Sequence, residues 1–473
     1  MEVGLFDIEA QAADEVHDVA IIGGGIVGCA VARRFALAGA RVILIEKGPD
    51  ILSGASKANS AILHTGFDAP PSSLELQLIQ AGRQEYLEIC GSLNLSLVKT
   101  GALVCAWNRA EASKLEAIER QGRANGIEQL RLLDAAEARR RMPGLAEHLL
   151  MALEVEGEHV IDPWSAPLAY LSQAVAMGAS FLRSAELLSG TFDDHWILKT
   201  SVGAVRAQCV INAAGLYGDI VDERLGLGAE FRIKPRKGQF VVLDKAAFLH
   251  VPRIILPVPT EITKGVVVCP TVFGNVIVGP TAEEQDDRVR ATVETSTLEA
   301  LLRRAGEIVP VLAHMPVTAV YAGLRPATEE KGYRVFVRPE RRAITLGGIR
   351  STGLSAALGL AQHALALHAS FSRNFAQPTA VPSVKVPNLA ETRERDWQRS
   401  DHGEIVCHCE LVTRREIEAA LQSAVPPGDF GGLRRRTRAG MGRCQGFYCN
   451  ARLAEMTRGK LFTALAVEAE GKQ

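Results

Sequence analysis

Residues 18–46, DVAIIGGGIVGCAVARRFALAGARVILIE, constrain this chain more than any other stretch. Val19, Ala20, Ile21 and Ile22 form the short, continuous apolar run of a buried parallel strand. Gly23, Gly25 and Gly28 follow with G-x-G-x-x-G spacing. The first glycine permits a tight turn, the second a close backbone approach to a pyrophosphate, and the third close packing of helix on sheet. A helix starting there aims free N–H groups at phosphate. Val42 to Ile45 reads as the second strand, with Glu46 at its end, where a carboxylate accepts from a ribose 2′-OH. Strand, glycine turn, helix and acid together indicate a dinucleotide site. They do not choose between FAD and NAD.

The chain has 473 residues, enough for two or three domains. Its net charge of −1 gives no reason to expect a nucleic-acid partner. No apolar run has the length of a membrane span. The acidic residues 1–17 lack the basic and apolar regions of a secretory signal, so they read as an N-terminal tail and the chain as cytoplasmic. Five of the nine cysteines, Cys29, Cys90, Cys105, Cys209 and Cys269, sit singly among apolar neighbours, as core residues do. The other four, Cys407, Cys409, Cys444 and Cys449, crowd into the last quarter. In a cytosolic chain that clustering indicates a metal centre rather than disulfides.

After Glu46 a long loop rich in Gly, Ser, Ala and Asn is expected to lie over the ligand. Helices are expected at 74–91, 110–125, 132–141 and 168–177, a strand near Ser180, and a meander over 186–211 ending in the small-residue turn Ala213-Ala214-Gly215. Residues 231–320 read as an antiparallel layer, followed by Gly323-Leu324-Arg325 and a glycine-rich turn. That turn opens a helix at Gly353 running to His368, again an anion-binding geometry. Residues 374–403, with three prolines and no periodic face, read as a partly extended linker. There is no internal repeat.

The loop NSAILHTGFDAPPSSLELQL resembles the one after the second strand in FAD-dependent oxidoreductases of the D-amino-acid oxidase superfamily, in its glycerol-3-phosphate dehydrogenase and L-2-hydroxyglutarate oxidase branches. PRKGQFVVLDK and PTEITKGVVVCPTVFGNVIVGPTAEE resemble the substrate domain of the glycerol-3-phosphate dehydrogenase-like branch. The resemblance implies an α/β FAD-binding Rossmann-like domain with an antiparallel β-rich substrate domain over 18–373. The FAD-binding parts fall at about 18–95, 150–220 and 320–373, and the substrate part mainly at 221–320. It implies that Lys47, Asn59 and Ser60 run along the flavin, and that Ala214 and Gly215 return to the first glycine turn. It also places the helix start at Gly348, Thr352, Gly353 and Leu354 at the flavin N1/C2=O edge. There the helix dipole favours the negative charge that reduction brings. Arg325 matches the G-[LV]-R arginine of the substrate pocket, whereas Arg350 stands where relatives carry lysine or another polar residue.

In residues 404–449 the ligand pattern is C-x-C, two helical stretches, then C-x4-C. Four thiolates suit zinc or an iron–sulfur cluster. C-x-C is too tight for a standard zinc knuckle. The run resembles the bacterioferritin-associated ferredoxin-like 2Fe–2S domain, most specifically in RRRTRAGMGRCQGFYC. This implies a small α-helical C-terminal iron–sulfur module over 404–460. Arg434, Arg435, Arg436, Arg438 and Arg443 are expected either to offset the thiolate charge and raise the cluster potential or to form a solvated basic face.

A hydride acceptor and a one-electron carrier on one chain imply a dehydrogenase: substrate to flavin, flavin to cluster, cluster to an external acceptor or partner subunit. His64 is the candidate base. Arg325 and Arg350 are the candidate cations for a small anionic substrate, with Lys237 behind them. The leading expectation is dehydrogenation of glycerol 3-phosphate. The alternatives are oxidation of a 2-hydroxy acid such as L-2-hydroxyglutarate, oxidation of an amine, and an electron-transfer subunit without a substrate of its own. Peripheral association with the inner face of a membrane stays open.

Overall fold

The computed structural model describes residues 15–228, 230–259, 265–372 and 374–466. Most of the expected tail, residues 260–264 of the substrate-domain stretch and residue 373 lie outside that range. The first strand, β1 (Val16–Ile22), begins two residues inside the expected tail. It leads through the glycine turn into α1 (Ile26–Leu37) and then β2 (Val42–Ile45). Every residue of β2 is buried, which is why its apolar run is unbroken.

β1 lies between β2 and the strand Gly203–Asn212, parallel to both, with Val19 opposite Val42 and Cys209. Ala343–Gly347 extends the parallel set on one side and Ser180–Leu182 on the other. Among the described residues this sheet has eight strands, its edge completed by the meander Leu187–Phe192 and Trp196–Thr200. Val19, Ile21, Val42 and Leu44 face one core with Phe35, Leu171, Ala357 and Leu360 from the helices. Each fully buried Val, Leu, Ile or Phe contributes about 1.5–3 kcal/mol.

The second sheet is built on Ile233–Leu243 and Val317–Thr328, paired antiparallel along their length. It has nine strands among the described residues, and two features differ from expectation. Ala102–Ala106, Leu130–Asp134 and Met151–Val155 belong to it, so the layer expected over 231–320 also takes strands from earlier in the chain. Ile254–Pro257 also runs parallel to Ala102–Ala106, so the sheet is mixed. The helix expected from Leu132 begins at Ala135 instead. Asp134 accepts from Glu137 N at 2.7 Å and Glu137 reaches back to Asp134 N, a capping box that sets the start. Leu132 and Leu133 before it pair with Leu153 and Ala152.

Residues 374–403 have little regular structure but are not a free tether. Val386, Leu389, Ala390 and Arg395 are buried, and Val386 N and Glu391 N donate to Leu93 O and Val272 O. The C-terminal module is a short hairpin, Ile405–Cys407 with Val412–Thr413, and helices Arg414–Leu421, Phe430–Thr437 and Asn450–Thr457. It has its own apolar core around Val412, Ile417, Leu433 and Leu453. No described helix is long and apolar enough to cross a membrane.

Candidate flavin and iron–sulfur sites

A cavity of about 930 Å³ runs between the two sheets, bordered at one end by the glycine turn and at the other by Arg325. Gly23 has φ +109°, and a Cβ there would lie 2.7 Å from Ala213 O; a Cβ on Gly28 would lie 1.9 Å from Gly23 O. The first contact brings the Ala213–Gly215 turn against the first glycine, and the second lets α1 close on the turn. Glu46 is buried and accepts from Gly24 N at 2.6 Å and Gly48 N at 2.7 Å. Burial pushes its carboxyl up, against the pull of those two N–H groups. The N-terminus of α1 has no cap from its own Gly25, and Ile26 N donates to Ser56 Oγ across the loop at 3.1 Å. A turn with no room for side chains, a helix end without its own cap and a buried acid fit a dinucleotide.

The other expected cofactor residues divide. Gly25, Lys47, Asn59, Ser60, Ala214, Gly215, Thr352, Gly353 and Leu354 border the cavity with Gly23 and Glu46, whereas Gly28 and Gly348 shape the backbone behind it. The helix Gly353–Ala369 has neither a side-chain cap nor an acid in its first turn, so its positive end opens on the cavity.

His64, at the end of the strand Ile62–Leu63, borders the same space. Its backbone N–H donates to Ser355 Oγ at 2.8 Å, and Nδ1 lies 2.8 Å from Glu158 Oε2. Glu158 Oε1 accepts from Thr65 N and Oγ1 at 2.7 and 2.8 Å. Burial would raise the Glu158 carboxyl, but the His64 interaction and the Thr65 donors hold it below the usual carboxylate range.

At the far end, Arg325 and Arg236 are cross-strand partners on the same face of the second sheet, and both border the cavity with Arg350. Burial, then the charges of Arg236 and Arg350, pull the Arg325 guanidinium down to about 10. Gly238 leaves room for it, since a Cβ there would lie 2.6 Å from Arg325 Nη2. Arg236 escaped the sequence reading, which named its neighbour Lys237. Alternation along the strand turns Lys237 to the opposite face, where it binds Glu283 at 2.9 Å and Glu294 at 2.8 Å.

In the C-terminal module the four cysteines lie near enough to act on one another's thiols: Cys407, Cys444 and Cys409 all act on Cys449, and Cys444 and Cys407 on Cys409. Backbone N–H groups supply further contacts: Gly440 N lies 3.4 Å from Cys407 Sγ. Tyr448 N–H foremost, with Gly446 and Phe447, holds the Cys444 thiol below its usual range. Among the described residues no three His, Cys, Asp or Glu side chains gather as a single-ion site. Four cysteine thiolates are the donor set of an iron–sulfur cluster.

The arginines of the module follow neither expectation cleanly. Arg436 binds buried Asp50 with both terminal nitrogens at 2.5 and 2.8 Å, Arg435 donates to Ile51 O at 3.1 Å, and Arg443 binds Asp244 at 2.5 and 2.6 Å. Hydrogen bonds from Arg443 hold the Asp244 carboxyl down at about 2. These three dock the module on the rest of the chain. Arg438 binds Glu410 at 2.9 Å and lies 4.2 Å from the ring centre of Phe273, which stacks on Trp164. Arg434 faces the cysteines, with Cys407 and Cys449 acting on its charge, and Cys409 acts on that of Arg443.

Residues 18–367 match the family described as FAD dependent oxidoreductase, and residues 405–457 match the BFD-like [2Fe-2S] binding domain. A glycerol 3-phosphate dehydrogenase of Caloramator mitchellensis is 31% identical over 94% of this chain and 95% of its own length. One subunit of the anaerobic glycerol-3-phosphate dehydrogenase of Escherichia coli strain K12 is 26% identical over 92% of this chain and 87% of its own. The FAD-bound, dithionite-reduced L-alpha-glycerophosphate oxidase of Mycoplasma pneumoniae superposes with a TM-score of 0.73, at 27% identity, over 79% of this chain and 99% of that one. The glycine cradle, the cavity it opens and the four clustered thiols thus belong to an enzyme of the FAD dependent oxidoreductase family that carries FAD and, in a C-terminal BFD-like domain, a 2Fe–2S cluster.

Proposed function

We propose that this enzyme dehydrogenates glycerol 3-phosphate and passes the electrons through its cluster to an external acceptor. The observation that carries the reading is the arginine end of the cavity. Like charges directly opposite on a sheet repel, yet Arg236, although paired with Glu284 on its other side, faces Arg325 there with Arg350 beside them. A phosphate dianion relieves that repulsion and accepts the forked donors of a guanidinium. The relatives named above support the same substrate.

FAD, when bound, supplies the hydride acceptor, and the cluster a one-electron carrier. The arginines hold the phosphate. His64 takes the hydroxyl proton at Nε2, the ring nitrogen that makes no hydrogen bond among the described residues. Lys47, Asn59, Ser60 and the start of the helix Gly353–Ala369 hold the flavin against the glycine turn. Cys407, Cys409, Cys444 and Cys449 hold the cluster. The acceptor is an external carrier or a partner protein, a reading supported by the Escherichia coli relative, which is named as one component of a larger enzyme.

Anaerobic mixing of the flavin-loaded enzyme with single substrates tests this. Glycerol 3-phosphate is expected to bleach the flavin, and L-2-hydroxyglutarate and amines are not. Bleaching by the hydroxy acid alone would overturn the assignment. Bleaching by none of them would leave an electron-transfer component without a substrate of its own.

A further inference from the structure

We propose that Glu158 is a positioning residue for His64, fixing its tautomer and ring orientation and supplying the counter-charge when the imidazole takes a proton from the substrate hydroxyl. The inference rests on His64 acting as the base. It does not depend on which alcohol is the substrate.

The geometry leaves Glu158 little else to do. Its relative exposure is 0%, and it sits just before the strand His159–Ile161, whose register places His159 opposite Leu63. That pairing brings Glu158 beside His64, although the two are 94 positions apart. One carboxylate oxygen meets His64 Nδ1, and the other takes both Thr65 donors. The carboxylate therefore grips two consecutive residues at the end of the strand. A buried carboxylate accepts and does not donate, so Nδ1 carries the hydrogen and Nε2 presents its lone pair to the cavity. The backbone bond from His64 N to Ser355 Oγ fixes the same residue against the helix that opens on the flavin site.

Among the described residues, the other charged or titratable groups acting on the pair are Arg83, His159 and Cys269. Arg83 acts on the Glu158 charge and donates to Gly157 O and toward His159. His159 Nδ1 meets the Glu158 carbonyl at 2.8 Å, and Cys269 is buried within reach of the carboxylate's field. None replaces Glu158 on His64 Nδ1.

The step balances. The secondary alcohol loses its hydroxyl proton to His64 Nε2 and its carbon-bound hydrogen, as hydride, to the flavin. A carbonyl forms, the substrate is oxidised by two electrons and the flavin reduced by two. The proton on His64 then leaves to solvent. Glu158 stays ionised throughout and stabilises the imidazolium.

The test uses the full-length holoenzyme and whichever alcohol bleaches the wild-type flavin, so failure of the glycerol 3-phosphate reading does not confound it. Limiting rate, KM and flavin content are followed against pH for wild type, Glu158→Gln, Glu158→Asp and His64→Gln. Glu158→Gln is expected to lower the limiting rate by about 100-fold, with KM changed by about twofold at most. Its acid limb should move to lower pH by about one unit or more, because the imidazolium loses its counter-charge. Glu158→Asp keeps the charge and should restore the wild-type limb while running slower. A flavin-replete Glu158→Gln with an unmoved limb overturns the proposal. If that variant does not retain flavin, Glu158→Asp decides: a wild-type limiting rate refutes the positioning role. A wild-type profile for His64→Gln refutes His64 as the base, and the proposal with it.

Discussion

At the scale of single residues, the proposed recognition of substrate falls unequally on the arginines. Arg325 is half-buried against backbone, donating to Thr281 O, and among the described residues no carboxylate hydrogen-bonds to it, whereas Arg236 is paired with Glu284 at 2.9 Å. A hydrogen bond to a charged group contributes about 1.5–3 kcal/mol. Arg325→Ala is therefore expected to raise KM for glycerol 3-phosphate by about 10- to 100-fold, and Arg236→Ala by less, with kcat changed little in both. Inorganic phosphate should raise the melting temperature of the wild type and not of Arg325→Ala. Steady-state kinetics and thermal melts check both, and an unchanged KM in Arg325→Ala would remove it from the pocket. That His64 and Arg325 border the cavity was readable because each sits in a local motif. Arg236 was hidden by one position: in Arg236-Lys237 only the strand's alternation decides which cation faces the cavity. Glu158 was not readable at all, because strand pairing alone brings it to His64.

At the scale of elements, the signals that read correctly were those written into short spans. The glycine turn, the Ala213–Gly215 return and the helix start at Gly353 are each set by a few neighbouring residues. The strand Leu130–Asp134 was hidden because its leucines suit a helix equally well, and only pairing with Met151–Val155 decides. The cluster loop belongs with the readable elements, since Gly446, Phe447 and Tyr448 turn their N–H groups back on Cys444. Cys444→Ser should therefore lose the 2Fe–2S absorbance and transfer to an external acceptor while keeping flavin bleaching by substrate. The module's separate apolar core is expected to keep it folded. Loss of flavin reduction in that variant would mean that the cluster supports the flavin site itself.

At the scale of the whole molecule, the question is how the module is held against the flavoprotein. Asp50 stands four positions after Glu46, so the loop that carries the expected ribose ligand also carries the module's main anchor. Asp50 and Arg436 are both buried, at 0% and 5% exposure, and remain paired through two hydrogen bonds. Removing one partner of such a pair costs about 3–5 kcal/mol, since the other charge is left buried without a counter-charge. Away from this anchor, Trp164, Phe273 and Arg438 pack in sequence from the cavity wall toward the cysteines, and Trp164 Nε1 donates to Lys57 O on that wall. The proposed electron transfer across this seam needs the module seated. Asp50→Asn is expected to retain both cofactors and normal flavin bleaching. Reduction of the cluster after bleaching should slow about tenfold, and proteolysis within residues 374–403 should quicken as the module lifts and exposes the strap. Rapid-mixing spectroscopy and limited proteolysis of the holoenzyme read the two effects. Slower cluster reduction without faster proteolysis would place the effect of Asp50 on the flavin loop, whereas no change in either would mean that Arg435, Arg443 and the buried strap hold the module without it.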